Sequence, residues 1–391
     1  MKILWLCSWY PNKIKPFDGD FIQRHARAVA LLHEVQVIHV VKDNVGKMLK
    51  LVTEETTSTG NLSETIIYYK NVAKGFNFLD RLLSANMHRK LLKSATKKYL
   101  LSNPGLELIH VHVAMKAGTI AYWVKKRYGI PFLVSEHWTG YLSEAKPNVD
   151  DQTRLIKFWM KKILINAHAV TAVSEVLANA IKKRFNVPAI SIVPNVVDTT
   201  IFRPVTKSPS GKTKFIHVST MTYQKNIEQL LMACNIVKKI SPEFILDVFV
   251  PATEFLHNLV EKYEVKGYVN IHEEVPQQIL ATEMQQADAL LLFSRYETFG
   301  CVVIEANACG VPAILSDLDV FREYSIEHET ALFVPQDNIQ LLADTMIGFM
   351  NHRWTFDPAK IAKRTEEKFG YSVIANKFNS IYQELKTSII N

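Results

Sequence analysis

The chain has 391 residues, more than the ~250–300 at which a single hydrophobic core stops growing, so two domains are expected. Its 48% hydrophobic, 10% aromatic and 21% charged residues indicate a globular protein and exclude disordered, collagen-like and disulfide-scaffold classes. The net charge of +8 is uneven, because residues 1–205 carry 29 Lys and Arg against 15 Asp and Glu while residues 206–391 carry 17 against 23.

Short β-branched segments alternate with helical patterns from the first residue, which is typical of a parallel sheet covered by helices. In the first half we predict strands at 2–9, 35–41, 65–69, 106–113, 131–136 and 169–174. Helices are predicted at 21–33 and 78–101 and in a segment that ends near Tyr128. This half forms one Rossmann-like domain, 1–205.

A polar segment with Pro, Gly and Ser at 207–214 is interpreted as the linker to a second series of the same kind. Its strands are predicted at 215–219, 245–250, 289–294 and 312–315, and its helices at 226–240, 254–263 and 299–309. A helical, amphipathic tail at 358–385 follows. We therefore predict a second Rossmann-like domain, 206–368, and a helix, 369–391, that packs back on the first domain.

No apolar run approaches the ~20 residues of a membrane-spanning helix, and the apolar stretch Ile3 to Cys7 is too short for a secretory signal. We expect a cytoplasmic protein. Its four cysteines lack a CxxC pairing and are expected to be buried free thiols rather than disulfides or zinc ligands.

The most informative segment is 294–306, with the sequence SRYETFGCVVIEA, where a strand leads into a helix. Gly300 allows a ligand to approach the backbone, and the free amides of Gly300 and Cys301 at the helix start can bind a phosphate. Glu305, further along the helix, can accept both hydroxyls of a ribose, or can lie on a solvated face. The two glutamates Glu297 and Glu305 also allow a glycosidase, although two helical residues eight apart would lie ~12 Å apart, beyond the ~5–9.5 Å of glycosidase carboxylates.

Glu297 and Glu305, followed by Pro312 in the sequence ANACGVP, resemble the signature of the retaining glycosyltransferases of family 4, and the likeness covers nearly the whole chain. The resemblance implies the GT-B fold, two Rossmann-like domains facing a central cleft. It also implies that Glu297 contacts the transferred sugar, that Phe299 and Gly300 contact the sugar and diphosphate, and that Glu305 binds the ribose.

In this family the second domain opens with an arginine and, five residues later, a lysine that neutralise the diphosphate. Lys225 matches the lysine, but Thr220 stands at the arginine position. A lost charge-assisted contact is worth roughly 1.5–3 kcal/mol, so the donor is either held more weakly or held by another cation. Arg24 and Arg295 are the candidates, and an ordinary surface lysine is the alternative for Lys225.

In the first domain, Gly19 lies at a strand-to-helix turn that resembles the glycine loop of the family, or is a plain turn. His137 follows a predicted strand where the family has a histidine that contacts the transferred sugar; a structural capping residue is the alternative. His110 and His112 share one face of their strand and are expected to pack in the core.

A basic helical region places cations beside leucines and phenylalanines, and such a helix can lie on an anionic membrane. Its members are Phe76, Phe78, Arg81, Leu82, Leu83, Arg89, Lys90, Leu91, Leu92, Lys93, Lys97 and Lys98. Our hypothesis is that this region makes peripheral contact with a membrane. The alternative is that it forms a solvated basic surface. The expected partners are a nucleotide-sugar donor and a glycan or lipid-linked acceptor, and no nucleic acid.

The resemblance implies retention of anomeric configuration, with Lys225 and the helix amides stabilising the leaving diphosphate. No cofactor and no metal are expected, although Asp317 with Asp319, and Asp18 with Asp20, mimic a metal-binding DxD motif. A hexose transfer in polysaccharide biosynthesis is the expected function. A nucleotide-sugar epimerase of GT-B-like fold and a non-catalytic nucleotide-sugar-binding relic remain alternatives.

Overall fold

The structure is a computed structural model that describes residues 1–70, 77–207, 211–251 and 253–390, with side chains described for all of these except 77–79 and 388–390. Residues Met1–Val196 and Tyr371–Asn391 form one compact unit, and Val197–Gly370 form a second. The boundaries expected from the sequence, after residues 205 and 368, fall inside the second unit. Three residues of the expected linker, 208–210, lie outside the described residues.

The first unit is built on an eight-stranded sheet. Its strands are β1 (Lys2–Cys7), β2 (Glu34–Asp43), β3 (Val52–Thr59), β4 (Leu62–Lys70), β5 (Leu108–His112), β6 (Phe132–Glu136), β7 (Ala169–Ala172) and β8 (Ser191–Ile192). Their order is β3-β4-β2-β1-β5-β6-β7-β8, and every pair is parallel except β3 with β4. Burial of the central strands on both faces explains their continuous apolar sequences.

Helices cover this sheet. They are α1 (Asp20–Val29), α2 (Asn77–Ser102), α3 (Ala117–Tyr128), α4 (Arg154–Asn166), α5 (Glu175–Phe185) and, from the end of the chain, α13 (Tyr371–Ile390). The predicted return of the last helix is confirmed: α13 contacts α1, and its Phe378 and Tyr382 are buried in the same core as Trp5.

The second unit is built on a six-stranded, wholly parallel sheet. Its strands are β9 (Thr213–Val218), β10 (Phe244–Phe249), β11 (Val269–His272), β12 (Ala289–Leu292), β13 (Ala313–Ser316) and β14 (Ala331–Val334), in the order β11-β10-β9-β12-β13-β14. Its helices are α6 (Ile227–Ile240), α7 (Glu254–Lys262), α8 (Gln277–Gln286), α9 (Cys301–Ala308), α10 (Asp319–Arg322), α11 (Ile339–Met350) and α12 (Pro358–Phe369). The predicted α/β fold class is confirmed in both units.

The strand order reverses direction once in each sheet. In the first unit, the chain moves outward from β1 through β2 and then returns to place β5 on the other side of β1. In the second unit, β9 is flanked by β10 and by β12 in the same way. Loops that leave the carboxyl ends of such neighbouring strands diverge, and ligands of open α/β sheets bind in the crevice between them.

Several elements differ from the sequence prediction. The antiparallel strand β3 was not predicted, because its exposed, threonine-rich sequence lacks an apolar face. The single helical tail is two helices, α12 and α13, since Gly370 adopts extended torsion angles between them. Cys301 is partly exposed rather than buried, because it is the first residue of α9; the other three cysteines are buried. Among the described residues, no helix combines the length and apolar character needed to cross a bilayer.

Candidate functional site

The second unit places the predicted donor residues at its switch point. Lys225 lies in a short 3-10 turn between β9 and α6, and Glu297 lies in the loop between β12 and α9. Because β9 and β12 are neighbours in the sheet, the two loops meet at its carboxyl edge. The Lys225 Nζ atom lies 2.5 Å from Glu297 Oε1.

Glu297 is held by three side chains. In addition to Lys225, the Ser294 hydroxyl donates to its Oε1 at 2.9 Å and the Gln224 amide donates to its Oε2 at 2.9 Å. The carboxylate is 4% exposed and the Lys225 side chain is 16% exposed. Lys225 is therefore not an ordinary surface lysine. The pair is a fixed, nearly buried ion pair, and both members lie where a ligand would be bound.

The amino end of α9 follows directly after Glu297. Gly300 precedes the helix with φ of 85°, and a Cβ atom at this position would lie 2.8 Å from Cε1 of Phe321. Only glycine fits both restrictions. Cys301 is the first helical residue, so its amide and those that follow begin the helix and can donate to an anion.

Phe299 and Glu305 are both buried. The Phe299 ring stacks on Tyr324 at 4.8 Å, and the Tyr324 hydroxyl donates to the Phe299 carbonyl, so this aromatic pair fixes the turn before α9. Glu305 lies inside α9 with 4% exposure. Burial excludes the solvated helix face as an explanation of Glu305; its predicted role at a ribose stays a prediction.

Of the two cations considered as substitutes for the missing arginine, Arg295 lies in the second unit beside Lys225. Its guanidinium donates to the Tyr223 carbonyl at 2.8 Å and lies 4.2 Å from the centre of the Tyr223 ring. Arg24 lies in the first unit, is 1% exposed and pairs with Asp20 at 3.1 Å. Thr220 is exposed at the start of the loop after β9.

His217 was not singled out from the sequence, although it helps to hold the two loops. It is buried in β9; one ring nitrogen lies 2.8 Å from the Leu291 carbonyl of β12, and the other lies 2.7 Å from the Ser219 hydroxyl. Burial, and to a smaller extent the charge of Lys225, lowers the pKa of His217 to about 4. The sequence carries a weak signal for it, a polar residue between the apolar residues Ile216 and Val218.

The first unit brings His137 into a cluster of histidines. His137 follows β6, and its Nε2 lies 3.3 Å from Nδ1 of His112 at the end of β5. The ring of His25, from α1, lies 5.6 Å from that of His137. Burial, followed by the proximity of His25, lowers the pKa of His137 well below its ordinary value. The imidazoles are thus neutral at pH 7.

His110 lies two residues before His112 on the same strand. It is buried as predicted, and both of its ring nitrogens are hydrogen bonded. Its Nδ1 lies 2.8 Å from the Tyr382 hydroxyl of α13, and its Nε2 lies 2.7 Å from the Ser135 hydroxyl. The Ser135 hydroxyl is in turn hydrogen bonded to the Thr171 hydroxyl, at 2.6 Å. This network ties α13 to β5, β6 and β7 and so fixes the strand that carries His112.

Glu136 positions the loop that contains His137. Its Oε1 accepts from the Ala114 amide and from the Tyr141 hydroxyl, each at 2.8 Å, which joins the loop after β6 to the loop after β5. Burial raises the pKa of Glu136 to about 7, against the opposing effect of these hydrogen bonds. Sequence reasoning passed over this residue because burial of a carboxyl beside His137 depends on contacts distant in the chain.

Gly19 begins α1 with φ of 70°, and a Cβ atom there would lie 2.8 Å from the carbonyl carbon of Trp9. The loop between β1 and α1 therefore folds back closely on itself and needs glycine at this point. The structure places Gly19 and His137 in the first unit and the other predicted site residues in the second.

One group of the described side chains could hold a metal ion. His25, His112 and His137 bring one ring nitrogen each to within 4.8 Å of the others, and this is the group in the described part of the chain that could hold an ion. The two DxD-like motifs offer less: Asp317 pairs with Arg322 at 2.5 Å, so its carboxylate already has a charged partner. A metal-independent reaction stays a prediction.

Two protein-family models match the chain, "Glycosyltransferase Family 4" over residues 21–201 and "Glycosyl transferases group 1" over residues 198–368. The chain belongs to glycosyltransferase family 4. Its matches to this family cover both compact units, which confirms the predicted family. The chain that carries the Lys225–Glu297 pair and the α9 turn is therefore a glycosyltransferase of GT-B type.

Named relatives agree with this family. The chain is 24% identical to the candidate teichuronic acid biosynthesis glycosyltransferase TuaC of Bacillus subtilis, with both chains covered completely. Among solved structures, sucrose-phosphate synthase from Thermosynechococcus elongatus matches with a TM-score of 0.77, 20% identity and coverage of 99% of this chain and 100% of the other. Anabaena HepE, solved with UDP and glucose, matches with a TM-score of 0.70, 14% identity and coverage of 98% and 100%. These structures share the fold.

Proposed function

We propose that this protein is a retaining, metal-independent glycosyltransferase that moves a hexose-type sugar from a nucleotide diphosphate sugar to a glycan or lipid-linked acceptor in polysaccharide biosynthesis. The observation that carries the proposal is the meeting of the Lys225–Glu297 ion pair with the amino end of α9 at the switch point of the second sheet. A cation, free amides and a carboxylate at one edge suit a sugar linked to a diphosphate.

In this proposal the second unit binds the donor. Lys225 and the amides at Gly300 and Cys301 face the diphosphate and stabilise the negative charge that grows on it as the sugar leaves. Glu297 orients the sugar, and Glu305 accepts from the ribose hydroxyls. Arg295, whose guanidinium contacts Tyr223 beside Lys225, supplies the cation that Thr220 lacks.

His137 is proposed as the group of the first unit that contacts the transferred sugar. A neutral imidazole can donate a hydrogen bond to a sugar hydroxyl or accept one without adding charge. Its ring is oriented by His112, and its loop is fixed by Glu136. The acceptor hydroxyl would lose its proton to a phosphate oxygen of the donor, so that no enzyme nucleophile is required.

Membrane contact is proposed for the face formed by α2, α3 and α4. The α4 sequence RLIKFWMKKILIN has no acidic residue, and Leu155, Phe158 and Ile165 are 66%, 55% and 49% exposed. Lys93 of α2 lies 4.5 Å from the ring of Trp123 on α3. Exposed apolar side chains among cations suit an anionic bilayer surface. Phe76 and the Phe78 side chain, predicted for this face, lie outside the described residues.

Sedimentation with anionic and neutral vesicles tests that surface. The wild type is expected to bind anionic vesicles, and a variant neutralised at Lys90, Lys93, Lys97 and Lys98 should bind less. Equal binding by both proteins would remove α2 from the proposal, and equal binding after Leu155→Gln with Phe158→Gln would remove α4.

The main test is a thermal-shift screen with UDP-, GDP- and ADP-sugars, followed by a turnover assay with the sugar that stabilises most. Ligand binding to the folded state raises its unfolding temperature. Stabilisation with transfer to an acceptor supports the proposal, whereas an epimeric sugar formed from the donor alone would indicate an epimerase. Binding without turnover would indicate a non-catalytic relic, and activity lost with a chelator and restored by a divalent ion would contradict the metal-independent mechanism.

A further inference from the structure

The first unit contains a concave site whose lining does not include His137. It is a cavity of about 590 Å³ at the carboxyl edge of the first sheet, beside the switch point formed by β1 and β5. Its walls come from the loop after β1, the ends of β2 and β4, the helix α2 and the first residues of α3. Open α/β sheets bind ligands at this edge.

The charges around this cavity are almost all positive. The cationic residues that line it are Lys15, Lys42, Arg81, Arg89 and Lys116. Asp18 is the one acidic residue among the described residues that line it. These groups come from four separate segments of the chain, so the charge does not follow from one basic stretch of sequence. Such a lining favours an anion strongly over a neutral ligand.

Two histidines line the same cavity without adding charge. Burial, and then the charge of Lys116, lowers the pKa of His88 to about 4. Burial also lowers the pKa of His39 to about 3. At neutral pH both imidazoles are uncharged, so the cations that face an incoming ligand are the lysines and arginines.

The backbone holds Lys116 in a strained conformation at the cavity. Lys116 has φ of 63° and ψ of −74°, and the Ala117 amide donates across it to the Met115 carbonyl at 2.8 Å. This is the rare form of γ-turn, which non-glycine residues seldom adopt. The Ser8 hydroxyl fixes the turn from the other side, where its one proton is shared between the carbonyls of Val113 and Met115. Lys116 is thereby directed from the start of α3 to the cavity that it lines.

We propose that this cavity binds a phosphate group carried by the acceptor substrate. Phosphate carries a charge of about −1.5 to −2 at pH 7, whereas a carboxylate carries −1, and the excess of cations over Asp18 suits the larger charge. The arginine side chains Arg81 and Arg89 can bind phosphate oxygens in pairs. Trp9 and Tyr69 line the same space and offer aromatic surface to an attached sugar or prenyl chain.

This inference rests on the proposed function, because it names the class of acceptor for the same enzyme. A phosphate can reach the cavity as a phosphorylated sugar in solution or as the phosphate of a lipid-linked acceptor. The recognition chemistry is the same for both, and two experimental arms separate them.

The first arm measures binding of inorganic phosphate by calorimetry, at low and high ionic strength. We compare the wild type with Arg81→Gln/Arg89→Gln and with the control Lys90→Gln/Lys97→Gln, which removes two charges from exposed positions of the same helix outside the cavity. The cavity variant should bind at least tenfold more weakly, the control within about twofold of the wild type, and salt should weaken binding. Equal losses in both variants, or none in the cavity variant, would overturn the proposal.

The second arm uses a short prenyl phosphate in neutral detergent micelles, with the corresponding prenyl alcohol as the blank. Binding that shows the same loss in Arg81→Gln/Arg89→Gln identifies a lipid source, and binding of glucose 6-phosphate alone with that loss identifies a soluble one. Glucuronate binding more tightly than phosphate would overturn the phosphate assignment.

A donor-side control separates this proposal from the proposed function. Lys225→Ala should leave phosphate binding at the cavity unchanged, and Arg81→Gln/Arg89→Gln should keep the thermal shift produced by the nucleotide sugar. If no nucleotide sugar stabilises any of these proteins while the cavity still binds phosphate, the proposed function fails and the cavity assignment stands. The retained thermal shift also shows that the double variant is folded.

Discussion

The polar centres of the two units differ in how they handle charge. In the second unit, Lys225 and Glu297 form an ion pair at 2.5 Å, with hydrogen bonds from Ser294 and Gln224. In the first unit, His25 and His137 lie among other imidazoles, and burial keeps them neutral. A charged centre suits the diphosphate that leaves, and a neutral one suits sugar hydroxyls. In the proposed transfer, the two units therefore differ in electrostatics as well as in the part of the substrate that each contacts.

The largest expected effect is acid lability caused by the neutral histidines. His25 has its pKa lowered from 6.5 to about 4, chiefly by burial. Below pH 6.5 the unfolded chain binds a proton that the folded chain does not, so stability falls as the pH falls from 6.5 to 4, by about 3 kcal/mol for this residue. Urea unfolding at pH 7.5 and pH 5 measures the change.

His25→Gln should reduce the stability difference between those two pH values by about 2 kcal/mol, because glutamine does not titrate and its amide can still donate to the Pro194 carbonyl. The control His257→Gln removes an exposed histidine of α7 and should leave the difference unchanged. An unchanged pH dependence in His25→Gln would mean that burial does not hold this imidazole neutral.

The next effect concerns the ion pair. Lys225→Ala should reduce transfer tenfold to about a hundredfold, since a charge-assisted contact to the diphosphate is worth roughly 1.5–3 kcal/mol. Turnover with the stabilising nucleotide sugar measures it. Lys262→Ala, which breaks an exposed pair with Glu228 in the same unit, is the matched control and should retain activity. Near-normal turnover in Lys225→Ala would take this residue out of the site.

A smaller effect is expected at the α9 turn. Gly300→Ala should lower the free energy of unfolding by about 2 kcal/mol, because alanine is disfavoured at φ of 85° and its Cβ would displace the Phe321 ring. Donor binding should weaken with it. Gly105→Ala is the control, since nothing lies within 4 Å of the added atom there. Equal stability of both variants would show that the turn relaxes without cost.

The smallest effect is a gain. Thr220→Arg introduces the cation that the family resemblance predicts at this position, and since residue 220 is exposed we expect nucleotide affinity to rise by at most about fivefold. Thr222→Arg, also exposed in the same loop, is the control for added charge alone. Equal tightening by both arginines, measured by titration calorimetry, would mean that position 220 has no special relation to the diphosphate.

Much of the fold was predictable because its signals are local. Apolar strands alternate with helical patterns, and Gly300, with a glutamate on either side of it, indicates the turn before α9. The strand β3 was not predicted because its residues are mostly exposed, and its strand conformation depends on pairing with β4 rather than on an apolar pattern of its own. The linker was predicted at 207–214 from its polar composition, which indicates exposure to solvent. The chain passes from the first compact unit to the second between Val196 and Val197, both buried.

The candidate site was predictable only in part, for a related reason. Lys225 and Glu297 could be named, but their ion pair and the hydrogen bond from Gln224 to Glu297 depend on the adjacency of β9 and β12. His25 could not be found, because nothing near it in the chain indicates that it lies beside His137. Glu136 precedes His137 directly, but its burial and its hydrogen bond to Ala114 depend on contacts distant in the chain. Which side chains share a site depends on strand order, and strand order is a long-range property.

The return of α13 to the first unit has a consequence for biosynthesis on the ribosome. Tyr382 bonds to His110, and Phe378 packs near Trp5, so these early residues lack part of their core until the whole of 197–370 has been synthesised. The second unit lies in one continuous stretch and can fold as it emerges. Until α13 has been synthesised, the nascent first unit lacks the contacts that this helix makes with His110 of β5 and Trp5 of β1.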